Sequence, residues 1–291
     1  ERRSRTEDDP QGFLLEAFVA EAFEVHPYGR SLIGTNEEID SYSKSAALAF
    51  FERYYQPNRA VLALVGDVDV ERDLPIIEKY FADIESSPDL RPRIPTEPPQ
   101  TAERRVTVEY DAESQIMIGY HKPTYPERDA YVLDLLSAVL SRGRTSRLYE
   151  RMVLQDQIAI SASTTSSYPG TRFPNLFVFF GSPQQPATVE DLEQTFYEEL
   201  ARVQTELVTP EELEKVKNQV RANTVRGLAS ASGLASRLAF YELFYGGWQN
   251  LISDLEIYDS ITAEEIRTAA NTYFAPENRM VGILLTEGAS E

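Results

Sequence analysis

Two histidines are the only imidazoles in these 291 residues, His26 in "EVHPYGR" and His121 in "GYHKP", and there is no cysteine. A zinc or transition-metal site draws on three or four His, Cys, Asp or Glu side chains at short spacing. Neither histidine has such company in the sequence. His26 therefore reads as a turn residue before Pro27 that fixes the exit of the preceding helix, and His121 as a structural residue at a strand end. The absence of cysteine excludes disulfides, thiolate metal sites and cysteine nucleophiles. No serine stands in a Gly-x-Ser-x-Gly elbow, so a serine hydrolase has no support.

"LSRGRTSRLYE" (residues 140–150) carries a glycine turn into a helix, the shape of an anion cradle. It follows a helix and lacks phosphate-loop spacing, so it reads as a helix cap, Thr145 or Ser146, with Leu148 and Tyr149 turned inward. The carboxylate runs "TEDDP" and "NEEID" lack the glycine-punctuated pattern of a calcium loop and read as helix starts. The aromatic run "LAFYELFYGGW" has helical spacing and reads as core. On residue types alone, no complete active site is legible.

The elements that would position these side chains are easier to read. Strands are expected at "RVTVEY", "SQIMIGYH", "IAISASTTSSY" and "NLFVFFGSP", and helices over residues 13–23, 128–141 and 189–203, after "GRTSRLYERMV", and from Pro210, where Thr209 caps and Glu212 stands at the third helical position. Adjacent strands with helices in runs argue an α+β fold with an antiparallel or mixed sheet and helices on one face. The proline-rich stretch 86–103 reads as a stiff linker. The net charge of −19 argues against nucleic acid and anionic membranes as partners. No apolar run is long enough to span a bilayer.

"IDSYSKSAALAFFERYYQPNRAVLALVGD" returns as "YDSITAEEIRTAANTYFAPENRMVGILLT", about 220 residues later, too long a period for a solenoid. Asp40 falls on Asp259, Pro57 on Pro276 and, after one inserted residue, Arg59 on Arg279. Ser43 and Thr262 stand as N-caps, with Glu265 completing a capping box. Each copy then runs through a proline turn into an apolar stretch expected to be a central strand. This gives two homologous domains, residues 1–85 and 104–291. On equal lengths the first lacks about 110 residues, so it is expected to be incomplete. Val61, Leu62 and Leu64 should then lie on an uncovered apolar face.

"HPYGRSLIGTNEEID", "FFERYYQPNRAVLALVGDV" and "IIEKYFADIESSP" together resemble the pitrilysin/insulinase-type zinc metallopeptidases (inverzincins), most of all the short bacterial members related to mitochondrial processing peptidase. "GRTSRLYERMV" followed by "IAISASTTS" is similar to the matching part of their second domain. The likeness covers residues 1 to about 286 and rests on scaffold segments. It implies a zinc-dependent metalloendopeptidase that encloses unfolded peptides between paired two-domain halves, as a homodimer or with a second peptidase-like subunit. The zinc motif His-x-x-Glu-His is not in this sequence and is expected upstream, so the zinc belongs to the full-length protein and none is expected in this fragment. No catalytic residue is expected in this chain. Glu1 matches the position of a third zinc ligand. The Arg and Tyr that many relatives use beside the scissile carbonyl fall on Val153 and Ile160, which points to the alternative, a non-catalytic partner or scaffold subunit. The compartment, bacterial periplasm or cytoplasm, stays open.

Overall fold

The computed structural model describes residues 1–86 and 93–288. Residues 87–92, in the expected linker, lie outside the described residues. In chain order the elements are α1 (Pro10–Ala22), α2 (Asn36–Asp40), α3 (Lys44–Tyr54), α4 (Val70–Phe81), β1 (Arg104–Tyr110), β2 (Gln115–Lys122), α5 (Arg128–Ser141), β3 (Ala159–Tyr168), β4 (Asn175–Pro183), α6 (Val189–Thr205), α7 (Pro210–Leu228), α8 (Ala231–Phe244), α9 (Asn250–Ser260), α10 (Ala263–Tyr273) and β5 (Arg279–Thr286). The fold is α+β, and the expected strands between 104 and 183 are all present.

Contacts divide the chain into two compact units. The first comprises Glu1–Gly34, Ile94–Asn218 and Ile257–Glu291; the second comprises Thr35–Arg93 and Gln219–Glu256.

The first unit is built on one mixed sheet of order β1-β5-β2-β4-β3, in which only β1 and β5 run parallel. Strand alternation sends successive side chains to opposite faces. Ile116, Ile118 and Tyr120 face α5, α6 and α10, where Phe179 stacks on Phe196 at 4.3 Å and Tyr120 meets Phe274 at 4.9 Å. Met117, Val178, Met280 and Leu284 face α1 and bury Leu14 and Phe18 completely. The helices of residues 104–291 that pack on the sheet thus cover one face, and α1, from the amino-terminal segment, covers the other. The ring of Phe18 fits only because two strands offer glycine beneath it: a Cβ would lie 2.7 Å from it at Gly119 and 2.8 Å at Gly282.

The second unit contains α2, α3, α4 and α8 with parts of α7 and α9. Its helix starts follow the sequence. Ser43 accepts the N–H of Ala46 at 3.1 Å, and Thr35 with Glu38 forms a capping box. The packing does not: among the described residues from 35 to 86 none is buried. Residues 60–65, expected as a central strand, form none, because no described segment pairs with them. Leu62 is 58% and Leu64 47% exposed, with Val61 half-buried. The aromatic run 238–248 is likewise not core: Phe240 and Trp248 are 40% and 48% exposed. Its rings pack mainly on one another, Phe240 on Phe244 at 5.0 Å and Tyr241 on Tyr245 at 5.0 Å. Helical periodicity marks an apolar face but does not say whether the chain covers it.

Candidate functional site

Both histidines lie at the end of α1, against one carboxylate. Glu97 accepts the backbone N–H groups of Glu24, Val25 and His26 at 2.7, 3.1 and 2.8 Å. His26 Nδ1 accepts the N–H of Tyr28 at 3.1 Å, which places the ring proton on Nε2, a buried atom without a partner among the described residues. Burial holds His26 below the usual imidazole range, although the charge of Glu97 opposes it. His121, on β2, meets Phe23 edge-on at 5.2 Å. Burial lowers it too, against the pull of Glu97 and a hydrogen bond to the backbone of Ala22, with Arg104 adding to the lowering. Both are thus turn and strand-end residues, as their sequence contexts indicate.

Zinc does not fit this cluster. His26 Nδ1 is taken by a backbone donor, and the Glu97 oxygens by three more. Among the described residues no group of three or more His, Asp or Glu side chains is placed to hold a metal ion. Glu1 stands apart from both histidines in its contacts, its carboxylate 3.2 Å from the Arg5 guanidinium on an exposed surface.

The segment resembling the family's second domain is held by an ion pair. Arg147 donates through Nε and Nη2 to the two carboxylate oxygens of Glu212 at 2.7 and 2.8 Å. Arg147 chiefly, helped by Thr209 and opposed by burial, lowers the Glu212 carboxyl to about 2. Thr209 and Glu212 also exchange the reciprocal bonds of a capping box. This fastens the start of α7 to the turn at Gly143, whose φ of +90° suits glycine. Leu148 is buried and Tyr149 half-buried, with Arg144 over the Tyr149 ring at 5.8 Å. The expected cap by Thr145 or Ser146 is not formed, since the Ser146 hydroxyl donates to the Gly143 carbonyl at 2.7 Å and no side chain caps the helical turns that follow. Val153 is half-buried and Ile160, on β3, is 64% exposed. Neither side chain can donate a hydrogen bond.

Ser161 and Ser163 of edge strand β3 line a cleft of about 230 Å³ with Gln11, Gln115, Phe180 and Ser182. Hydroxyl and amide groups there can meet a polypeptide backbone but hold no nucleophile-base pair.

Two clusters escaped the sequence reading. Glu103 accepts from Arg279 Nε at 2.7 Å and from Arg105 Nε at 2.6 Å, Arg279 lies 4.1 Å over the Tyr197 ring, and Tyr197 donates to Glu193 at 2.6 Å. Lys122, 3% exposed, donates to the Pro123 carbonyl at 2.8 Å, and burial lowers it to about 8 despite Asp134 and Glu127. It is too enclosed to meet a substrate.

The model of the peptidase M16 inactive domain matches residues 41–220, and the chain belongs to that family. The chain is 28% identical over 280 residues to the zinc protease PqqE of Helicobacter pylori, covering 94% of this chain and 62% of that protein. It thus spans about three fifths of the length of that relative. The crystal structure of a protease from Helicobacter pylori superposes with a TM-score of 0.88 at 26% identity, covering 98% of this chain and 69% of the other. A peptidase M16 inactive domain from Pseudomonas fluorescens gives 0.85 at 16% identity, over 99% and 68% of the two chains, a likeness of fold.

Proposed function

We propose that the protein serves zinc-dependent hydrolysis of unfolded peptides, and that these 291 residues supply the non-catalytic, peptide-enclosing part of a metalloendopeptidase. The observation that carries this reading is the match to an inactive peptidase domain by a chain related to proteins named zinc proteases. Zinc would be held mainly by residues beyond those described, with Glu1 as the candidate third ligand. The homologous halves would be residues 1–85 and 104–291. The hydroxyl-lined cleft beside β3 supports contact with a peptide backbone, and the net charge of −19 would favour basic peptides. The paired unit would be a second copy or a peptidase-like subunit.

Val153 and Ile160 favour a second reading, in which the whole protein is a non-catalytic partner. The two separate on the product of the intact gene, assayed for bound zinc and for cleavage of a basic unfolded peptide with and without a chelator. Stoichiometric zinc and chelator-sensitive cleavage are expected. Neither zinc nor cleavage would leave the partner-subunit reading in its place.

A further inference from the structure

The proline-rich segment ahead of β1 has a burial pattern of its own. Ile94, Glu97 and Glu103 are half-buried and Gln100 is buried, while both residues in each interval, 95–96, 98–99 and 101–102, are exposed. The period is three. β1, which follows at once, changes to a period of two. Three residues per turn is the repeat of a polyproline II helix, which has no internal hydrogen bonds. Residues 94–102 accordingly make no backbone-to-backbone hydrogen bond among the described residues. Pro95, Pro98 and Pro99 all stand on the exposed side, where they stiffen the segment.

Each inward polar residue engages a different part of the first unit. Glu97 takes the three N–H groups of the turn after α1. Gln100 Nε2 donates to the carbonyls of Glu277 and Arg279 at 3.2 and 2.7 Å, at the turn that enters β5. Glu103 joins Arg105 of β1 to Arg279 of β5. Arg104, next in the chain, donates to the Glu21 carbonyl at 3.0 Å and pairs with Glu24, so it grips the end of α1 as well. Polar contacts that water can reach are individually weak. On a stiff segment they are not independent, because seating one sets the register and the effective concentration of the next. A flexible stretch of the same length gains little from this.

We propose that residues 94–103 act as a polyproline II strap, with Glu97, Gln100 and Glu103 as its fastenings, and that strap and α1 dock on the sheet and leave it together. Release opens the apolar face of Met117, Val178, Met280 and Leu284 that Leu14 and Phe18 cover. The strap is thus a latch on that face, in a stretch whose composition alone reads as a spacer. This inference rests on the burial period and the contacts and not on peptidase activity.

Hydrogen exchange of the intact gene product tests the coupling, with residues 14–26 followed against α5 as a reference in the same unit. Pro98→Gly with Pro99→Gly alters only exposed positions that are not fastenings. Gln100→Ala cuts a fastening whose partners, Glu277 and Arg279, lie far from α1 in sequence. Both should speed exchange of residues 14–26 about 10-fold and leave α5 unchanged. Thr96→Pro, on the exposed side, should slow it roughly 3-fold. Exchange of residues 14–26 that fails to rise in either variant, a change confined to residues 277–279 in Gln100→Ala, or an equal rise in α5 would each overturn the proposal. The last would mean that the segment steadies the whole unit and is no separate latch.

Discussion

Glu97 accepts the N–H of His26 at 2.8 Å across 71 residues of chain. The same carboxylate takes two further N–H groups, so one side chain from a proline-rich segment closes the turn that follows α1. Charge-assisted bonds to backbone donors are the stronger kind, and the donor on buried His26, left without its acceptor, loses more than the bond itself. Glu97→Ala should lower the unfolding free energy by about 1–3 kcal/mol. Glu97→Gln, which keeps one oxygen, should cost less. Urea unfolding of both variants provides the comparison, and equal losses would show that the oxygens are not what matters.

The two histidines make stability fall on the acid side of neutrality. Each has a lowered pKa in the folded chain, burial being the main cause, so the unfolded chain binds more protons below the ordinary value of 6.5. Stability is fully present above that value and is lost as pH falls toward the lowered folded values. Each histidine can contribute a slope of up to about 1.4 kcal/mol per pH unit in that window. The Glu97 carboxyl, held low by the three backbone donors against its burial, adds a loss at still lower pH, as it protonates below the ordinary 4.5. Unfolding curves between pH 5 and 8 should steepen accordingly, and His121→Gln should flatten them. An unchanged slope in that variant would mean that His121 does not titrate differently on folding.

Local rules were readable because their signals are local. Thr262, Thr209 and Ser43 cap as the sequence indicates, since a hydroxyl and an N–H three residues on are sufficient for the bond. Strands β2 and β4 read as strands because both faces are apolar. The contacts of Glu97 and the Glu103–Arg279 pair join residues far apart in sequence, and a single glutamate among prolines carries no period. The aromatic run at 238–248 shows the opposite failure. Its pattern is that of a buried helix, yet burial depends on a partner layer that a periodic pattern cannot supply. Val153 and Ile160 became notable only through resemblance, as apolar residues at positions where the resemblance leads one to expect polar ones.

Phe18 fixes the identity of two residues on neighbouring strands. With the ring fully buried and a Cβ at Gly282 placed 2.8 Å from it, Gly282→Ala forces α1 outward or the ring off its rotamer. Overpacking of this kind costs about 1–3 kcal/mol. Phe18→Leu alone should also destabilise, by removing buried ring surface. Combined, the two should cost less than their sum, because the smaller side chain relieves the clash. Thermal unfolding of the two single variants and the double variant measures the coupling, and strict additivity would rule out the contact.

Val153 and Ile160 offer a direct test of the role of this domain in catalysis. Ile160 is largely exposed on the edge strand, so its polar replacement should change stability by about 0.5 kcal/mol or less, while that of half-buried Val153 should cost about 1 kcal/mol. If a zinc centre acts on peptide held beside β3, Val153→Arg with Ile160→Tyr in the intact gene product should raise kcat for an unfolded basic peptide. Each donor brought to a developing oxyanion adds stabilisation of about 2.7–4 kcal/mol when well placed, so even a poorly aligned pair should give a measurable gain. The gain should appear in kcat more than in KM, since a donor aimed at the transition state leaves ground-state binding largely unchanged. A folded double variant with zinc bound and kcat unaltered would remove these positions from the catalytic environment, leaving the domain to enclose the peptide without touching the reacting bond.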